Sequence, residues 1–177
     1  MENKTINSKR ILLRSIKETD VDSIFAYRSL EDVARYQYWE PFTKVQTIDF
    51  VNKNMNSPLN KKGEWIGLAI INKDDDKLIG DCSIKLNLNN AEIGCNISPE
   101  YQHRGFAKEV LELLINCYFN NSGLDEIFGI TDSQNKASIK LMESVGMTRA
   151  IDFEEKLICK GILSIEHKYY LRKADRR

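Results

Sequence analysis

Neither sign of charge prevails in this sequence: 26 lysines and arginines stand against 26 aspartates and glutamates. That balance argues against nucleic acid or an anionic membrane as the main partner. No apolar run reaches bilayer-spanning length, and the opening Met1-Glu2-Asn3-Lys4-Thr5 lacks the apolar segment of a secretory leader. Cysteine is sparse. Cys82, Cys95, Cys117 and Cys159 are widely spaced with no C-x-x-C, and the first three sit among apolar residues. They are expected to be small core side chains in a reducing compartment, and a cytoplasmic location follows. The acidic triplet Asp74-Asp75-Asp76 lacks the remaining ligands of a calcium loop, so a solvated turn is expected there and no metal. Neither a G-x-G-x-x-G nor the glycine-lysine loop of the nucleotide-binding P-loop is present. No repeat, low-complexity stretch or linker interrupts the 177 residues, so one domain over 1–177 is expected, large enough to bury a core unaided.

What is present is periodicity. Residues 10–15 read as a strand. Thr19 or Asp20 can cap a helix with Val21, Ile24, Phe25 and Tyr27 on its stripe. The aromatic segment Tyr36 to Phe42 contains Pro41 and reads as a loop. Thr47 is expected to cap a short helix with Ile48, Phe50, Val51 and Met55 inward, and 56–63 is turn chemistry. Strands follow over 65–71, 78–88 and 91–97. Past Gly123, which stops the long helix, come a strand over 126–131, a helix over 135–145 and a hairpin of 148–158 with 162–172.

The most informative stretch is Gln102-His103-Arg104-Gly105-Phe106-Ala107. Before it, residues 91–97 alternate as a strand does, and Ser98-Pro99 ends the ladder. After it, Ala107, Val110, Leu111, Leu114, Ile115 and Tyr118 define one face of a helix. A strand thus runs into a helix N-terminus through small residues. The free N–H groups and dipole of that terminus, with little side chain at Gly105 and Ala107, suit a pyrophosphate. Local packing at a helix start explains the same residues, so a second block is needed.

That block is Asn135-Lys136-Ala137-Ser138-Ile139-Lys140-Leu141-Met142, ending in Gly146-Met147. Together the two resemble the GNAT superfamily of acyl-CoA-dependent N-acetyltransferases. The opening Lys9 to Arg14, followed by Asp20, is similar to its RimJ/RimL branch, whose best-known members acetylate ribosomal-protein N-termini. The resemblance implies a mixed α/β fold: a central, mostly antiparallel sheet flanked by helices, with two splayed parallel strands, here 91–97 and 126–131. It implies acetyl-CoA as co-substrate, no metal, and cofactor contacts from Asn96, Ile97, Gln102, His103, Arg104, Gly105, Phe106, Ala107, Asn135 and Ser138. Arg104 and Lys108 are candidates for neutralising the 3′-phosphate. Many members carry a tyrosine acid after the leucine of the second block. This chain has Met142 there, and Ser138 is the implied substitute.

Glu92 shares a strand face with Gly94 and Asn96 and is the candidate general base, with Asp81, Glu154, Glu155 and His167 as alternatives. An exposed strand glutamate explains Glu92 equally, as helix capping explains Asn135 and packing Ser138. The expected function is acetyl transfer to a primary amine, either a ribosomal or other protein N-terminus or a small amine. The alternative is a non-catalytic acyl-CoA-binding sensor. Acceptor loops are expected at 33–46, 55–63 and the last hairpin, and a homodimer is compatible with all of this.

Overall fold

A computed structural model describes residues 6–55 and 61–176. The turn expected over 56–63 lies largely outside them. Among the described residues eight strands form one sheet in the order β1-β2-β3-β4-β5-β6-β8-β7: β1 Ile6–Asn7, β2 Ile11–Ser15, β3 Trp65–Asn72, β4 Lys77–Leu86, β5 Asn90–Ile97, β6 Glu126–Asp132, β7 Thr148–Cys159 and β8 Ile162–Arg172. Every neighbouring pair is antiparallel except β5–β6. This is the mixed, mostly antiparallel sheet expected.

The helices are α1 Val21–Arg28, α2 Glu31–Ala34, α3 Lys44–Asn54, α4 Phe106–Asn121 and α5 Lys136–Ser144. Helix α4 buries Val110, Leu111, Leu114, Ile115 and Tyr118 against one face of the sheet, as their spacing requires. Each such side chain contributes about 1.5–3 kcal/mol. The other face packs Ile16, Ala69 and Ile71 against Ile24 and Tyr27 of α1 and Val51 of α3.

Two expectations need correction, while the turn expected at the acidic triplet is present. Thr43, not Thr47, caps α3: its hydroxyl accepts from the Gln46 N–H while the Gln46 side chain accepts from the Thr43 N–H. Starting the helix one turn earlier buries Thr47 completely and turns Ile48 outward, at 41% exposure. The second strand of the 65–86 hairpin ends at Leu86, because Asn87 N–H bonds the Asn90 carbonyl and turns the chain. The acidic triplet is a turn in which Asp75 accepts from Asn72, the Lys77 N–H and the Tyr101 hydroxyl. Among the described residues no helix is long and apolar enough to cross a membrane.

Candidate active site

The β5–β6 ladder pairs only Asn90 with Glu126, Ala91 with Ile127 and Glu92 with Phe128. Both strands run on, to Ile97 and Asp132, without pairing each other. Backbone polar groups inside a sheet are normally paired, so an opening between two interior strands calls for a ligand. Gly129 sits at its base: a Cβ there would lie 2.8 Å from Met142 Sδ and 3.3 Å from the Ile93 carbonyl. Met142 therefore fills the floor of the opening.

A cleft of about 590 Å³ leads to this splay. It is lined by Asn96 and Ile97 of β5, by Gln102, His103, Gly105, Phe106 and Ala107 of the loop and α4, and by Asn135 and Ser138 of α5. Of the residues expected to hold the cofactor, Arg104 alone is outside this lining, its guanidinium stacked 5.3 Å from the rings of Tyr101 and Phe106.

The loop makes two left-handed turns, His103 at φ 58° and Gly105 at φ 80°. Glycine reaches that region without penalty, which is the physical reason for Gly105 at the helix N-cap. Gln102 Nε2 donates to the Ile97 carbonyl at 2.9 Å and ties the loop to the strand end. Arg10 braces it from below. Its Nη1 donates to the Arg104 carbonyl, its Nε donates to Glu109, and its guanidinium lies over Phe106. Lys108 lines the cleft too and lies 3.9 Å from Glu112.

Asn135 caps α5, its Oδ1 accepting from the Ser138 N–H at 3.1 Å. The capping reading of Asn135 therefore holds, at a place that also faces the cleft. The Ser138 hydroxyl has no hydrogen bond among the described residues.

Glu92 is not in the cleft lining. It occupies the last paired position of β5–β6, on the sheet face opposite α4, because Ala91, Ile93 and Ile97 take the α4 side. Burial raises its carboxyl pKa, with Glu166 adding to the rise and Lys85 and Lys168 opposing it. The register puts Glu166 and Glu155 on this same face. Tyr38 reaches over from the aromatic loop and donates to Glu166 Oε1 at 2.5 Å. Burial and Glu166 push its phenol above the ordinary range. Glu154 and His167 pair with each other on the opposite face, where His167 Nε2 lies 2.9 Å from Arg149.

Asp81, another alternative to Glu92, is 1% exposed with both oxygens occupied by Tyr27, Arg28 and Asn96. Sequence reasoning missed this cluster. An arginine at the end of α1, followed by a loop bearing Trp39 and Phe42, was its one visible signal.

Residues 10–148 match the Acetyltransferase (GNAT) domain family. An uncharacterized N-acetyltransferase, p20, from Bacillus licheniformis is 30% identical over 97% of this chain and 98% of its own length. A GNAT-family acetyltransferase from Bacillus anthracis superposes with a TM-score of 0.86 at 24% identity, covering 96% of this chain and 99% of that one. The spermidine N-acetyltransferase of Vibrio cholerae, solved with CoA and spermine, does so with a TM-score of 0.77 at 18% identity, covering 95% and 98%.

Proposed function

The chain belongs to the GNAT acetyltransferase family, and on that premise we propose that it moves acetyl from acetyl-CoA to a primary amine entering on the Glu92 side of the sheet. Carrying this reading is the parallel pair that opens after Glu92 beside a helix N-terminus with a glycine cap. The acetyltransferase domain is taken to span the whole of 1–177.

In this reading the N–H groups at the start of α4 hold the pyrophosphate, and the loop turns at His103 and Gly105 keep the backbone open to it. Backbone of Asn96 and Ile97 orients the pantetheine arm and the thioester oxygen. Glu92, its pKa raised by burial, accepts a proton from the incoming ammonium, directly or through water. The amine nitrogen then bonds the thioester carbon, the carbon–sulfur bond breaks, and the excess proton on nitrogen passes to the departing sulfur, which leaves as the free CoA thiol. The Ser138 hydroxyl donates a hydrogen bond to the departing thiolate. Met142 cannot take that part, since it has no proton to give and packs on Gly129.

Glu92, Glu155 and Glu166, with Tyr38 above them, surround the acceptor mouth with negative charge that gathers ammonium groups. The spermine held by the Vibrio cholerae relative makes a small polyamine the first acceptor to try. The opening similar to the RimJ/RimL branch makes a peptide N-terminus the second.

The test is release of free CoA thiol from acetyl-CoA with polyamines, peptide N-termini and aminoglycosides, alongside melting with CoA. Turnover with one amine class supports the reading. A melting shift without turnover on any amine would replace it with the sensor reading.

A further inference from the structure

Asp81 and Arg28 are 1% and 5% exposed, and burying two charges is costly unless their geometry is excellent. Here it is. Arg28 donates to the carboxylate through Nε at 2.9 Å and Nη2 at 2.6 Å, Tyr27 Oη adds a bond at 2.5 Å, and Asn96 Nδ2 a fourth at 3.3 Å. Because such a pair is often no better for stability than an apolar replacement, its geometric consequences matter more.

Those consequences run in two directions. Towards the splay, Asp81 faces Asn96 across the β4–β5 ladder, and Asn96 lines the cleft. Towards the acceptor mouth, the Arg28 guanidinium lies 4.1 Å from the ring of Phe50, 4.6 Å from Trp39 and 5.0 Å from Phe42. The Arg28 carbonyl also accepts from the Phe42 N–H at 2.9 Å. The next residue before Trp39 is Tyr38, which holds Glu166. One ion pair thus grips the loop over the acceptor mouth with one hand and the open strand with the other. A planar, forked guanidinium can stack and donate in pairs at once, which an ammonium cannot.

We infer that Arg28 and Asp81 are a positioning pair, locking the loop 36–42 to the β5 segment at Asn96 so that amine and thioester meet in register. This deepens the proposed function and rests on it, since it assigns the two faces of the splay to two substrates. Neither residue lines the cleft. Their effect falls on the amine side because the loop carries Tyr38, while the pyrophosphate loop is braced separately by Arg10 and Gln102.

The test uses Trp39→Leu and Asn96→Ala, which leave the buried charges paired, together with Arg28→Lys. Amide hydrogen exchange is read first. Trp39→Leu is expected to speed exchange several-fold both in 36–42 and in 93–97, leaving α4 unchanged. Acceleration confined to 36–42 would overturn the coupling, and this readout needs no turnover. Steady-state kinetics are read second. Each single variant should lower kcat/KM for the amine by about ten- to a hundredfold, the scale of a misplacement near 1 Å; the CoA Kd, read on Trp39→Leu and Arg28→Lys because Asn96 itself lines the cleft, should stay within about threefold. The double variant should fall short of the product of the single effects, as coupled positions do. Arg28→Lys should follow the same split between amine and CoA. Multiplicative effects, or a CoA Kd rising in step with the loss in kcat/KM, would refute the pair's positioning role. A wild-type protein that turns over no amine would sink the proposed function, while the exchange data would still decide the coupling.

Discussion

Gly80 is the position where a single methyl group tests the architecture most directly. A Cβ built there would lie 2.1 Å from the Asn96 carbonyl oxygen and 3.1 Å from both the Asn96 carbonyl carbon and Ile97 Cα. Non-bonded carbon and oxygen sit at about 3.3 Å or more, so about 1 Å of movement is required. The atoms in the way are backbone, and no rotamer change relieves them. The β3–β4 register shifts here, Ile70 pairing with Gly80 but Ile71 with Leu78, and the Ile79 carbonyl accepts from the Ser98 N–H. The strand is therefore held from both sides. Overpacking of this kind costs about 1–3 kcal/mol, or about 2–12 °C in Tm at this chain length. The displaced atoms belong to Asn96 and Ile97 at the splay, so Gly80→Ala should weaken acetyl-CoA binding as well.

Gly94, three rungs along the same ladder and paired with Ser83, is the control: a Cβ there meets Ser83 Oγ at 3.8 Å. Gly94→Ala should leave Tm unchanged or raise it, because it restricts the unfolded chain, by about 0.4–1 kcal/mol. Urea unfolding and calorimetric titration with acetyl-CoA read both variants. A Gly80→Ala protein within about 0.5 kcal/mol of wild type, binding acetyl-CoA normally, would refute the reasoning.

Gly105→Glu forces a side chain into a left-handed turn and brings a negative charge to the proposed pyrophosphate position, so the CoA-induced melting shift should disappear; a normal shift would make the loop purely structural. Ser138→Ala should lower kcat by about one to two orders of magnitude with little change in acetyl-CoA Kd, and an unchanged kcat in stopped assays returns Ser138 to packing. Glu92→Gln should depress kcat/KM for the amine most near neutral pH and least at high pH, where the amine is already deprotonated; parallel pH–rate profiles would move the role to Glu155 or Glu166. Burial alone would raise the Asp20 carboxyl pKa, but Arg14 and the Lys17 N–H reverse this and hold it below 3.8. Its contribution is thus present above about pH 4 and lost as pH falls through the lowered value. Asp20→Asn should therefore cost about 1 kcal/mol at pH 7, since Arg14 is partly open to solvent, and the gap in urea midpoints should narrow as pH falls below about 4.

The sequence alone determined the elements whose signals are local. The stripe of α4 repeats at helical spacing, so its buried face could be written down from Val110 to Tyr118. Gly105 between a strand and a helix marked the loop proposed to hold the pyrophosphate, and the loop and Asn135-to-Ser138 blocks do line one cleft. Local rules failed where two signals competed. Thr43 and Thr47 are both of a capping residue type, and it is Thr43, with Gln46 three residues on, that forms the reciprocal capping box.

Tertiary structure decided everything that depends on residues far apart in the chain. That the ladder stops after Glu92, that Glu166 and Glu155 come round to the face of Glu92 while Glu154 and His167 take the other, and that Asp81 is occupied all follow from strand order and register. The physical reason is the two-residue period of a strand. Each strand reveals which of its residues share a face, but not which face, nor which strand lies beside it, until the sheet is assembled.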